Sequence, residues 1–206
     1  MDLNDKKMLM RSLREEGYLR SREVEDALMR VPREEFLRPG EGAYAYSDEP
    51  QHIGSGQTIS APHMVAIMTE LLKPRRSDVI LEVGTGSGYQ AAVLSRLVRR
   101  VYTIELEPGL AAFARANLER AGIRNVSVSE GDGSVGLAKH APYDKIIVTC
   151  ATDRLYPAWR EQLREGGILL APVGRGYRQD LVIAEKRKGC LKSRKAMSVV
   201  FVPLRH

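Results

Sequence analysis

An apolar run that ends in three glycines at alternate positions, Val79-Ile-Leu-Glu-Val-Gly-Thr-Gly-Ser-Gly-Tyr89, constrains this chain more than any other stretch of it. A strand leads straight into Gly84, Gly86 and Gly88, residues whose missing Cβ lets the backbone turn sharply and approach a ligand closely. The helix expected next, Gln90 to Val98, aims its N-terminal amides at the same place. The pattern reads as a nucleotide-cofactor loop, although a tight strand-to-helix connection needs the same glycines and G-x-G patterns also serve dinucleotide enzymes. A second strand-like run, Val101-Tyr-Thr-Ile-Glu105, ends in a carboxylate suited to the two hydroxyls of a ribose. A third, Asn125 to Ser129, closes on Glu130-Gly-Asp-Gly133. Turns at the ends of three successive strands point to one crevice at the carboxyl edge of a parallel sheet.

With 206 residues, 43% of them hydrophobic, the chain can bury a substantial core. One domain over 1–206 is expected, with residues 1–60 as an N-terminal extension packed on it. There is no apolar run of about 18 residues and no charged-then-apolar leader, which predicts a protein without membrane or secretory address, in the cytoplasm. Cys150 and Cys190 lie far apart and in no metal-like spacing, so neither a disulfide framework nor a metal site is expected, and Cys150 is assigned to a strand. The net charge of +6 raises nucleic-acid binding, through Arg96, Arg99, Arg100 and the run from Lys186 to Lys195. Against it, acidic residues number 26, aromatics reach only 6%, and the second basic run flanks Gly189 as a solvated hairpin does. No nucleic-acid partner is expected, and the chain is read as a monomer.

Along the chain, residues 2 to 16 look helical. Ser21 is placed to cap a helix whose Val24, Ala27, Leu28 and Val31 share one face before Pro32 stops it. Residues 38 to 59 hold six glycines and prolines and read as an ordered loop of the kind that builds sites. Ser60 precedes Ala61-Pro62 as an N-cap does, ahead of a helix with Met64, Ile67, Met68 and Leu71 as its stripe. Strands at 79–83, 101–105 and 125–129 then alternate with helices at 89–98 and 108–121, which gives a right-handed parallel sheet. Asp144 to Cys150 is a further strand, Pro157 to Leu163 a short helix, and Ile168 to Val173 another strand. Leu181 to Glu185 and Met197 to Val202 have no helix between them and should form an antiparallel edge hairpin. The fold class is α/β, doubly wound and Rossmann-like.

Several segments together resemble the protein-L-isoaspartate O-methyltransferases. They are Val31-Pro-Arg-Glu-Glu-Phe36, Tyr44 to Asp48, Gly56-Gln-Thr-Ile-Ser-Ala-Pro-His-Met64, Leu81 to Tyr89, Gly131-Asp-Gly133, Ala141-Pro-Tyr-Asp144, Gln162 to Gly167 and Phe201-Val-Pro-Leu204. The glycine loop alone speaks for a methyltransferase of class I; the Gln57 to Met64 run is the specific part. The resemblance implies S-adenosyl-L-methionine as cofactor, S-adenosyl-L-homocysteine as product, and methylation of the α-carboxylate of L-isoaspartyl residues in damaged proteins and peptides.

Carried over residue by residue, it sets Gly84, Gly86 and Gly88 against the methionine portion of the cofactor and Glu82 near its amino end. Glu105 takes the ribose, and Asp132 with Gly133 the adenine. Gln57, Thr58, Ile59 and Ser60 join the cofactor-binding set, Thr58 and Ser60 lining the place where the methyl faces its acceptor. Ser60 is the residue that the family marks as its active site. Val65 stands where some relatives carry a histidine, and Arg205 and His206 where some carry another polar contact. His63 is read as a packing histidine, not a catalyst. Tyr44, Tyr46 and Tyr89 are either packing or acceptor contacts, and Asp48 orders its loop.

The chemistry suits these residue types. An α-carboxylate with a pKa of about 3.5 is ionised at neutral pH and needs no base. Transfer from a sulfonium is an in-line displacement, which requires alignment and a dry site. The resemblance implies that the ester then cyclises to a succinimide and hydrolyses partly to normal aspartate. Two other readings stay open on the residues alone: a methyltransferase acting on RNA or a small molecule, and a non-catalytic cofactor-binding module. A nicotinamide dehydrogenase gives no role to the Ser60 segment or to Glu130-Gly-Asp-Gly133.

Overall fold

Period-two apolar runs build the centre of the protein, and the computed structural model, which describes residues 3–206, gives each of them a strand. In chain order the elements are α1 (Leu3–Glu15), α2 (Arg22–Arg30), β1 (Gln51–Gly54), β2 (Gln57–Ile59), α3 (Pro62–Leu72), β3 (Val79–Val83), α4 (Tyr89–Ser95), β4 (Arg100–Glu105), α5 (Pro108–Arg120) and β5 (Val126–Glu130). They continue with β6 (Tyr143–Val148), α6 (Pro157–Gln162), β7 (Leu163–Arg175), β8 (Arg178–Arg187) and β9 (Cys190–Val199). Asp2, the first residue of the expected N-terminal helix, lies outside the described residues.

Seven strands make one sheet in the order β5-β4-β3-β6-β7-β8-β9. β5 through β7 in that order are parallel neighbours, and β8 and β9 are added antiparallel. The chain winds outward from β3 through β4 to β5, then returns to place β6 on the other side of β3. That reversal opens a crevice at the carboxyl ends of β3 and its neighbours. Alternate residues serve opposite faces. Leu81, Val83, Ile146, Val148, Leu169 and Ala171 pack with Trp159 of α6. Ile80, Ile147 and Leu170 face the other way, into a cluster shared with α1, α2, α3 and α4. Helices on both faces explain why the central strands are almost wholly apolar.

The N-terminal helices join this core by helical spacing. Lys6, Leu9, Met10 and Leu13 are the buried face of α1, and Val24, Ala27 and Leu28 that of α2. Full burial of each leucine-sized side chain contributes about 1.5–3 kcal/mol. Val31 turns extended, with φ −96° and ψ 114°, as a residue before proline must. Ser21 holds the N-cap position of α2 without capping it. Its hydroxyl and N–H, together with the Arg20 N–H, all donate to one oxygen of Glu70 on α3.

Residues 38 to 59 contain more regular structure than a loop. β1 and β2 pair antiparallel across a two-residue turn, Ser55-Gly56, with φ of 54° and 68°. Strands of four and three residues are too short to show an alternation, and a serine at positive φ is a weak turn signal. Other boundaries shift modestly. α4 ends at Ser95, three residues early, β8 extends beyond the expected segment at both ends, and β9 starts at Cys190, seven residues early, but ends at Val199, short of Val202. The turn between them is Lys188-Gly189, with φ of 52° and 75°, so the basic run is a solvated hairpin as expected.

Both edges of the sheet are protected. Arg115 donates to the Val128 carbonyl on β5 while pairing with Glu130, and β9 carries Lys192, Arg194 and Lys195. No helix among the described residues is long and apolar enough to cross a membrane. Because one Glu70 oxygen gathers three donors, Glu70→Ala should destabilise the protein by about 1–3 kcal/mol in urea titrations, and Ser21→Ala by less. Equal losses would mean that Ser21 acts as an ordinary cap.

Candidate active site

The carboxyl ends of β3, β4 and β6 open on a cleft. Gln57, Thr58, Ile59 and Ser60 enter it from the β1–β2 hairpin, and Val202 to Arg205 close the opposite side. Its floor is the glycine loop. Gly84, at φ 93°, donates its N–H to the Ile104 carbonyl, and a Cβ there would sit 2.6 Å from Thr149 Oγ1. Only glycine fits that turn.

Glu105 stands at the end of β4 with its carboxylate clamped. Oε2 accepts the Gly86 N–H at 2.9 Å, and Oε1 accepts the Glu107 N–H at 3.1 Å. Each oxygen keeps acceptor capacity for a further donor. Glu82 is the opposite case. It is fully buried on β3, opposite Thr103 of β4 and Ile147 of β6, and neither carboxyl oxygen has a hydrogen-bond partner among the described residues. Burial pushes its pKa up to about 8, with the nearby Thr103 hydroxyl opposing the rise and the charge of Glu105 adding to it.

On the facing wall, α3 starts with Ala61 at its N-cap, not Ser60. The capping carboxylate comes from a distance. Asp48 Oδ1 accepts the His63 N–H at 2.8 Å and also meets the His63 ring at 3.0 Å. Ser60 therefore does not cap the helix, and its hydroxyl makes no hydrogen bond to another described residue. His63 is thus occupied with Asp48, and the half-buried Ser60 faces the cleft.

Not every expected residue reaches the cavity. Gln57, Thr58, Ile59, Ser60, Gly84, Gly86, Glu105 and Gly133 line it; Glu82, Gly88 and Asp132 do not. Glu82 lies beneath the loop. Gly88 caps α4 at φ 87°, a backbone conformation that favours glycine, while a Cβ there would make only ordinary contact, at 3.4 Å, with Ala114 and Leu118 on α5. Asp132 turns its carboxylate to the Ser134 N–H and to His206 Nδ1. Cys150 lies beyond the end of β6, in the cleft wall and not in a strand. Burial, then the charges of Glu105 and Glu82, push its thiol up to about 12, which keeps it protonated.

Further lining residues had no individual signal in the sequence. Gln90 donates to Thr69 at 3.0 Å, fixing α4 to α3. Tyr89 lines the cleft with the buried Arg33 guanidinium 4.9 Å from its ring centroid. Thr149 bonds the carbonyls of Val83 and Gly84. The strand ends that carry Thr149 and Cys150 were the one available cue.

The family model for protein-L-isoaspartate(D-aspartate) O-methyltransferase matches residues 4–206. The chain belongs to this family. A relative named protein-L-isoaspartate O-methyltransferase from Ignicoccus hospitalis is 50% identical over 204 residues, covering 97% of this chain and 96% of the relative. A solved structure of that name is similar with a TM-score of 0.88 at 30% identity, over 98% of this chain and 66% of the solved chain. A Plasmodium falciparum structure assigned to the family, in complex with S-adenosyl-L-homocysteine, shares the fold at 24% identity with a TM-score of 0.85, covering 97% of each chain.

In this member of the family the orphaned Glu82 has a measurable signature. Its folded pKa of about 8 lies above the ordinary 4.5, so between those values the folded state holds more protons than the unfolded one. Stability drawn from Glu82 must then fall as pH rises through that window. Glu82→Gln should be near neutral at pH 5 and stabilise the protein by on the order of 2 kcal/mol at pH 8, read from urea titrations of both proteins. A pH-independent difference would show that Glu82 is charged throughout.

Proposed function

We propose that this chain is a protein repair methyltransferase that moves a methyl group from S-adenosyl-L-methionine to the α-carboxylate of L-isoaspartyl residues in damaged proteins and peptides. One observation carries the reading: the Gln57 to Ser60 run, specific to the family, forms the wall of the cleft opposite the glycine loop. The residues present fit the cofactor. An unpaired buried carboxyl at Glu82 matches its ammonium group, and the clamped carboxylate of Glu105 matches a ribose diol. Gly84 and Gly86 admit the methionine portion, Gly133 the adenine, and Asp132 supports that end from outside the cavity. Gln57, Thr58 and Ile59 bound the sulfonium side.

When bound, the cofactor supplies an electrophilic methyl group. The protein supplies alignment. Ser60, with its hydroxyl uncommitted, orients the acceptor carboxylate by one hydrogen bond and leaves the attacking oxygen free. Ile59 and Val65, both buried, together with Leu204 keep water from the nucleophile. No base is required, since the acceptor is already ionised.

We further propose a single domain over 1–206 that acts as a monomer in the cytoplasm without nucleic acid. Support for the single domain comes from a core cluster common to the N-terminal helices and the sheet, and for the cytoplasm from two free cysteines. The test is transfer of labelled methyl to a matched peptide pair, isoaspartyl and aspartyl, with mild base to release methanol. Label in the isoaspartyl peptide alone is expected; label in RNA or a small molecule instead would overturn the substrate. Ser60→Ala should lower kcat by about 10²-fold with cofactor Kd within about twofold. Glu105→Ala should weaken cofactor binding by about tenfold or more, measured by calorimetry.

A further inference from the structure

A second depression opens beside the cleft, between the loop that follows β6 and the end of the β7–β8 pair, and the proposed reaction makes no use of it. Ala151, Thr152 and Phe201 are among its lining residues, and Arg154, Arg175 and Tyr156 bring charge and an aromatic ring to it. Pro203 and Leu204 line both this groove and the cleft, so the two are neighbours across a shared wall. The shared wall is firmly held. The Ala151 N–H donates to the Val202 carbonyl at 2.8 Å, and the Leu204 N–H donates to the Ala151 carbonyl at 2.7 Å. Gln179 grips Phe201 from the far side, accepting its N–H at 2.7 Å and donating to its carbonyl at 3.0 Å.

The chemistry of the rim is specific. Arg154 and Arg175 share a single carboxylate, Asp153, at 3.3 and 3.5 Å, and Arg175 remains 86% exposed. Two guanidinium groups against one carboxylate leave net positive charge. Of the five large apolar side chains exposed among the described residues, two adjoin the groove's lining in sequence, Tyr177 after Gly176 and Val200 before Phe201. A wall of fixed backbone with a cationic rim and two exposed apolar side chains suits an extended polypeptide that carries acidic and apolar residues.

We propose that this groove docks the polypeptide flanking the isoaspartyl residue and favours acidic side chains there. The proposal rests on the isoaspartyl reading of the cleft. An acceptor embedded in a chain must leave the cleft on at least one side, and the groove beyond Pro203 and Leu204 lies next to the cleft on one of them. Each residue of extended chain advances about 3.3 Å, so a few flanking residues reach the arginines.

The experiment compares three acceptors: a blocked isoaspartyl tripeptide, a longer isoaspartyl peptide with acidic flanks, and the same length with lysine flanks. The parent protein should show a KM about tenfold lower for acidic than for lysine flanks. Arg154→Glu combined with Arg175→Glu should abolish or reverse that preference, with kcat, cofactor KM and activity on the tripeptide unchanged. Tyr177→Ala should raise KM for both long peptides and spare the tripeptide. Both are surface changes, and an unaltered Tm verifies the fold. An unchanged KM for the acidic peptide in the double variant overturns the groove while leaving the isoaspartyl activity standing. No methylation of any isoaspartyl peptide by the parent protein overturns both.

Discussion

The parallel ladder does not stop where the strands do. Past the last residue of β3, the Gly84 N–H still reaches the Ile104 carbonyl; past β5, the Gly131 N–H reaches Glu105; past β6, the Thr149 N–H reaches Val83, each at 2.9 Å. These three bonds carry the register of the sheet into the turns. Each turn is thereby fixed against its neighbour by the same geometry that fixes the strands, and a site assembled from three turns inherits the rigidity of the core. The glycines make this possible, since side chains at Gly84 would collide with Thr149.

On that rigid frame the electrostatics are deliberately unbalanced. Glu82 is buried beneath the glycine loop without a hydrogen-bond partner among the described residues, whereas Glu105 lines the cleft with two backbone donors, so the same residue type sits in two different surroundings. A buried carboxyl without a partner costs stability unless it stays protonated or meets a cation. The folded protein therefore keeps Glu82 largely protonated beneath the glycine loop below about pH 8.

The sheet was legible because its strands are buried on both faces, and continuous apolar runs such as Ile146 to Val148 and Ile168 to Ala171 survive any helix reading. β9 was only half legible. Its first half, Cys190 to Lys195, is a charged edge strand, and the charges that protect an edge erase the alternation that would announce it. The glycine loop and Glu105 were readable as local patterns. The capping of α3 was not, because a local rule nominates Ser60 while the carboxylate that meets the helix comes from Asp48 in an earlier turn. Likewise nothing in the sequence joins Gln179 to Phe201 or brings Cys150 into the cleft wall. Such contacts are set by tertiary packing, to which periodicity is blind.

The borrowed cap has a consequence for motion. The first turn of α3 depends on a hydrogen bond to Asp48 in the segment between Arg38 and Ile59, which is anchored to the core by the buried Ala45, Ile53 and Ile59 and by the Tyr46 hydroxyl donating to Glu34. Opening of that segment removes the cap, frays the helix start and displaces the reactive edge in one event. Amide exchange at His63 and the lifetime of the competent site thus report the same fluctuation, so anything that rigidifies the segment slows both together.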